Sequence, residues 1–201
     1  MTAVSPERRA VLFFPVAEPK AQRRGGTKVA SGPAFKGVIE SFRAEQKLLE
    51  IYVRGDDDGD FSVGHIAATG ESSFIYAVYR RDGTFADFRW LEYSNVEQLR
   101  IDTVYLRQYE RSAHPDLPPS MGDCSLLALL THLSESHEVC SIHDLEGSEV
   151  LGIVRKIEGD IVFVWEIVDG APNGEVLLTA DNIGEVRFGG SVHSHLGNLV
   201  R

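Results

Sequence analysis

The chain has 201 residues, of which 43% are hydrophobic and 25% charged, and its 30 acidic against 20 basic residues give a net charge of −10. That is the composition of an ordinary globular protein, and no apolar run reaches the roughly 18 residues needed to cross a bilayer. The one N-terminal apolar stretch, VLFFPV at 11–16, is short and broken by proline. No membrane association is therefore expected, and a cytoplasmic protein with Cys124 and Cys140 as thiols is.

Charge divides unevenly. Residues 1–36 carry seven Lys or Arg against Glu7 and Glu18, a balance of +5, which leaves 13 bases against 28 acids and a balance of −15 for the rest. Nucleic-acid affinity comes from Lys and Arg displacing counterions, so an acidic body argues against a nucleic-acid partner. It suits a protein partner, a basic one in the most concrete case.

In chain order, residues 1–32 have little periodicity and scattered bases, and read as a basic flexible arm. Phe35, Val38, Ile39, Phe42 and Leu49 recur at helical spacing. An extended segment (LLEIYV, 48–53), an acidic turn (RGDDDGD) and three β-prone runs follow: FSVGHIAAT (61–69), SFIYAVYR (73–80) and FADFRWLEY (85–93). SNVEQLRI (94–101) closes this set, and a Pro-rich stretch within 109–123 reads as an extended connector.

The second part repeats the sequence of elements. Asp123 or Ser125 is a candidate N-cap before Leu126, Leu127, Leu130 and Leu133. HEVCSIH (137–143), EVLGIVRKI (149–157), DIVFVWEIV (160–168), EVLLTAD (175–181) and DNIGEVRF (181–188) follow as strands. SNVEQLRI is a weakened copy of DNIGEVRF. An offset of 87 places Asn95 on Asn182, Arg100 on Arg187, Asp82-Gly83 on Asp169-Gly170 and FIYAVY (74–79) on IVFVWE (161–166). An offset of 88 then places Gly64 on Gly152, Ile66 on Val154 and Ile51 on Val139, and sets Val38, Ile39 and Phe42 on Leu126, Leu127 and Leu130. The mid-strand glycines predict a bend at the same point of each copy. The expected fold is mainly β with α, a tandem duplication of a helix-plus-small-β-barrel module. Its divisions are 1–32 arm, 33–111 first module, 112–121 linker and 122–197 second module.

Helix, short strands, tight turns and a mid-strand glycine resemble the SH3-like and Sm-like small barrels. GIVRKIEGDIVFVWEIV (152–168) looks like the first Sm motif, and ADNIGEVRF (180–188) is similar to the second. Where the Sm family has an Arg-Gly pair that helps bind a base, this chain has Thr179-Ala180 and Glu92-Tyr93. The resemblance thus implies the fold without the RNA-contacting residues. The pattern is closest to uncharacterised bacterial proteins of this type, a likeness that implies no activity.

Candidate chemistry is sparse. A calcium loop counted back from Gly59 would put Arg54 where a carboxylate is needed, so Asp56, Asp57, Asp58 and Asp60 read as an acidic turn that could contact a partner. In HEVCSIH, strand alternation sends His137 and His143 to one face and Cys140 to the other, which argues against zinc. His193 and His195 read as an exposed tail. Cys124, ahead of a helix start, lacks an assignable base. Neither a phosphate loop nor a nucleophile elbow occurs. The expectation is a protein that is not an enzyme, with no metal or cofactor, acting as a non-catalytic protein-binding module. Its contact residues would be the acidic turn and Trp90, and one version is an acidic inhibitor or immunity-type protein masking a basic partner. The alternatives are an Sm-like RNA binder using the basic arm, and a structural subunit that oligomerises through open barrel edges.

Overall fold

The computed structural model describes residues 33–54, 60–118, 121, 124–191, 193, 195 and 196. Helix α1 spans Lys36–Ala44, and strands β1 to β5 span Leu48–Val53, Ser62–Thr69, Ser73–Tyr79, Phe85–Glu92 and Val96–Arg100. Helix α2 spans Leu126–Ser136, and β6 to β10 span Val139–Asp144, Glu149–Glu158, Ile161–Val168, Ala171–Thr179 and Ile183–Phe188. The protein is mainly β. All ten strands form one antiparallel sheet in the order β5-β1-β2-β3-β4-β10-β6-β7-β8-β9.

That order corrects the expectation of two separate barrels. The sheet is not closed into a barrel: β4, which would seal the first half, spends its free side on β10. The two halves have the same internal order, with the last strand beside the first, and within the sheet they are joined through this β4–β10 pair.

Local geometry corresponds position by position. Gly64 pairs with Val78 and Gly152 with Glu166, both at an offset of 88. A bulge follows at Ile66/Ala68 and at Val154/Lys156. The irregularity therefore lies two residues beyond the glycines and not at them. The glycines are required for another reason: a Cβ on Gly64 would sit 2.2 Å from the Ala77 carbonyl oxygen, and one on Gly152 2.3 Å from that of Trp165. Short 3-10 turns precede the last strand of each half, at Tyr93–Asn95 and Ala180–Asn182. The carbonyl of Asn95 accepts from the Arg54 amide, and that of Asn182 from the Leu145 amide.

These last bonds also correct the alignment of the first helix and strand. Arg54 to Leu145 is an offset of 91, and so is Leu49 to Cys140, the partners of Gly64 and Gly152. The same offset joins Gln46 (φ 51°) to His137 (φ 54°), the left-handed residues where the two helices end. It sets Ile39 and Phe42 on Leu130 and Leu133, so that buried Ile39 no longer falls on exposed Leu127. Leu49 belongs to β1 and not to the helix stripe, since α1 stops at Ala44. Ser125 is the N-cap of α2, its hydroxyl accepting from the Ala128 amide at 3.3 Å.

Each helix lies on the second strand of its half, α1 on β2 and α2 on β7. Ile39 packs with Leu49, Ile51, Phe74, Tyr76 and Leu91 beneath α1. The core under α2 is larger, because it also takes in Ile75, Ala77, Phe88 and Trp90 from the opposite face of the first half. The connector joins that core and does not run free. Met121 and Cys124 are buried in it, and the Cys124 carbonyl accepts from Trp90 Nε1 at 2.7 Å and from Ser73 Oγ at 2.5 Å. Upstream, the Ala113 carbonyl accepts from Tyr79 Oη at 2.9 Å, and the His114 ring lies 3.8 Å from that of His65. Among the described residues, no helix is long and apolar enough to cross a membrane.

Candidate functional site

The joint between the halves concentrates the polar chemistry of the molecule. Antiparallel register sets Leu91 opposite Glu185, Trp90 opposite Val186, Arg89 opposite Arg187 and Phe88 opposite Phe188. Alternation divides these pairs between two faces. On one face the Phe88 and Phe188 rings stack at 5.6 Å, beside Trp90 and Val186 in the core. The other face carries charge.

Two arginines directly opposite each other repel, and the neighbouring acids offset this. Glu185 accepts from Arg187 Nε at 2.8 Å and from its terminal nitrogen at 3.2 Å, a two-pronged pair, and lies 3.3 Å from Arg89. Arg89 also donates to Asp87 at 3.1 Å and to Ser62 Oγ at 2.9 Å. Burial alone would raise the Glu185 pKa, but Arg89 and Arg187 outweigh it and hold the carboxyl below its usual range. Glu185 is thus an ionised tether whose lone pairs are engaged by guanidinium groups. A general base needs a lone pair free toward a substrate, so this carboxylate is placed to lock the seam.

Beside the network lies a groove of about 280 Å³ lined by both halves, with Arg54, Asp60 and Asn95 from the first and His143, Asp144 and Glu185 from the second. Asn95 Nδ2 donates to the Gly184 carbonyl at 3.1 Å and fixes the groove floor. His143 is held neutral below its ordinary pKa by burial and then by Arg187, with Glu149 3.7 Å away. The groove is small and polar, whereas small-molecule sites are commonly about 300–1,000 Å³ and mostly apolar.

The residues singled out from sequence do not come together. Asp56, Asp57 and Asp58 lie outside the described residues, while Asp60 is exposed at the groove. Trp90 is 1% exposed, so its ring is not available to a partner in the folded chain. His137 ends α2 and is not on a strand, whereas Cys140 is buried on β6, where burial pushes its thiol up to about 12. His193 is also buried, with Nε2 3.4 Å from Ser141 Oγ, which corrects the reading of an exposed tail; His195 is exposed. Among the described residues no three His, Cys, Asp or Glu converge as metal ligands.

Sequence reasoning missed the Arg89–Glu185–Arg187 network. Its trace was the spacing of Asp87 with Arg89 and of Glu185 with Arg187, each two apart on one strand face. Which strand would lie opposite could not be read from spacing. Comparison with known protein families, curated proteins and solved structures found no match to this chain.

Proposed function

We propose that this protein is a non-catalytic protein-binding module, a tandem duplication of a helix-plus-small-β-barrel unit of the SH3/Sm-like kind, and that protein partners add strands at its open edges. The duplication is supported by the repeated strand order and by the paired glycines, bulges and 3-10 turns at constant offsets. The observation that carries the functional reading is the identity of the strands left open. The joint unites β4, fourth strand of the first half, with β10, last strand of the second. Among the described residues, the strands at the ends of the sheet are β9 and β5, their counterparts in the other half. An unpaired edge is a template for a further strand, and here both edges are of a type already paired inside the molecule.

A photo-crosslinking residue placed at Leu177 on β9 or Gln98 on β5, in cells that make the protein, tests the reading. Adducts with a protein from these positions, and none from Leu127 on the outer side of α2, are expected. Adducts from Leu127 alone would overturn it.

A second reading, an acidic protein that masks a basic partner, is favoured by the −15 balance beyond residue 36 and by Asp60 and Asp144 at the groove. Salt separates the two. Masking by charge weakens as ionic strength rises, whereas strand addition by an acidic chain does not depend on that attraction.

A further inference from the structure

We infer that the partner at these edges is a second copy of this chain, docked head to tail so that β9 of one copy pairs with β5 of the next as β4 pairs with β10 within each. The inference rests on the strand-adding role proposed above and names its partner.

Apolar exposure at the two ends of the molecule is what carries it. Inside the chain, the outer face of the first half presents Ile75, Ala77 and Trp90, which α2 and the second half bury in one core with Leu129. Their counterparts in the second half are Phe163, Trp165 and Leu177, at offsets of 88, 88 and 87. Among the described residues no helix on that half plays the part of α2: Arg155 and Lys156 lie over the Trp165 and Phe163 rings at 4.9 and 4.2 Å, yet Trp165 is 37% exposed and Leu177 57%. The other end shows the reciprocal gap. Leu129 of α2 is fully buried at the joint, while its counterpart on α1 at an offset of 91, Val38, is 42% exposed. Among the described residues, one end therefore offers a partly exposed apolar sheet face, and the other an exposed apolar helix residue. These are the two surfaces that close on each other at the internal joint.

Register follows from the same correspondence. Leu177 falls opposite Leu99 as Trp90 falls opposite Val186, and Leu178 opposite Gln98 as Leu91 falls opposite Glu185. Val176 would face Arg100, so the opposed arginines of the internal joint, Arg89 and Arg187, are not repeated. Pro172 and Gly174 occupy the start of β9, and proline cannot donate to a ladder. Pairing is thereby confined to about the 175–179 segment, which is the segment the register uses. Such a contact joins two different surfaces, and it propagates to a closed ring or an open filament.

Cysteine trapping in the full chain tests the inference. The native Cys124 and Cys140 are buried and form no disulfide, so the background is silent. Leu99→Cys and Leu177→Cys, mixed as separate single variants and mildly oxidised, should give one covalent dimer, and the double variant a ladder of multimers. Each single variant alone should give no covalent dimer. Covalent dimers of Leu177→Cys alone would mean that two β9 edges meet, which overturns the head-to-tail arrangement. An absence of trapping in the mixture, with both variants melting like the wild type, overturns the inference outright. If the photo-crosslinks at Leu177 and Gln98 then capture a different protein, strand addition stands and only self-association falls.

Discussion

Gly64 and Gly152 make the same close approach: each sits where a side chain would press into a carbonyl oxygen of the neighbouring strand, that of Ala77 in the first half and of Trp165 in the second. Backbone on both sides of the clash is held in a ladder, so neither can yield cheaply. Gly64→Ala and Gly152→Ala should each destabilise the protein by at least the upper part of the ~1–3 kcal/mol usual for overpacking. Urea midpoints check this. A neutral result at either position would break the correspondence.

Gly37 predicts the opposite sign. It lies inside α1, where an added Cβ would meet nothing within 4 Å beyond its own helical turn, and the residue of α2 at an offset of 91 is Ala128. Alanine removes backbone freedom from the unfolded chain, so Gly37→Ala should stabilise by roughly 0.5–1 kcal/mol. The same melts measure it.

Trp90 holds the halves together through its ring and through the bond from its indole nitrogen to Cys124. Trp90→Ala should cost about 3–5 kcal/mol, read as a shift of one cooperative transition for the whole chain. Two separated transitions in the variant would show that the halves melt independently.

Stability should fall on mild acidification. His65 is buried against Tyr79 and His114, and burial, then the charge of His114, lowers its pKa to about 4. The unfolded chain takes up a proton below about 6.5, while the folded one resists. The contribution is complete above that value, declines as pH drops, and is exhausted below about 4. His143 and His193, also lowered chiefly by burial, act in the same direction. Replacing His65 with Gln should flatten the slope of the urea midpoint against pH between 4 and 6.5.

Glu185 acts in a lower window. Its carboxyl is held down by Arg89 and Arg187 against burial, so its contribution persists through mild acid and is lost only as pH falls past the usual carboxylate range. Glu185→Gln leaves Arg89 and Arg187 facing each other at the seam and should cost about 3–5 kcal/mol. Denaturant melts at neutral pH, where the wild-type pair is intact, check it.

Much of this fold was legible in the sequence, because alternation and turn residues are local signals. Seven of the ten strands fall within the runs read as extended, while β6 and β7 run one residue past theirs and β9 begins at Ala171, four residues ahead of EVLLTAD. The offset of 88 holds for β2 and that of 87 for β4 and β5, but β3 lies 88 residues before its counterpart β8 and not 87, so the one-residue slack falls after β3. The first helix and strand were misplaced by three residues, since two leucine-rich stripes fit each other in more than one frame. Burial of Ile39 and Leu130 and the left-handed Gln46 and His137 resolve the frame, and neither is visible in spacing. Closure was misjudged for a related reason. Whether β4 returns to its own half or pairs with β10 is a choice between two edges of similar pattern, decided by tertiary packing around Trp90. The site was hardly legible at all, because Arg89 and Glu185 lie 96 residues apart (185 − 89) and meet only through that choice.

Sedimentation velocity of the full chain across a range of protein and salt concentrations tests self-association most directly. Mass should rise above the 22.2 kDa monomer with concentration, and more readily in salt, which screens repulsion between copies of net charge −10. Leu177→Lys, which sets a charge on the open β9 edge, should return it to monomer. A single monomeric species at every concentration and salt, unchanged by that substitution, would contradict the head-to-tail assembly.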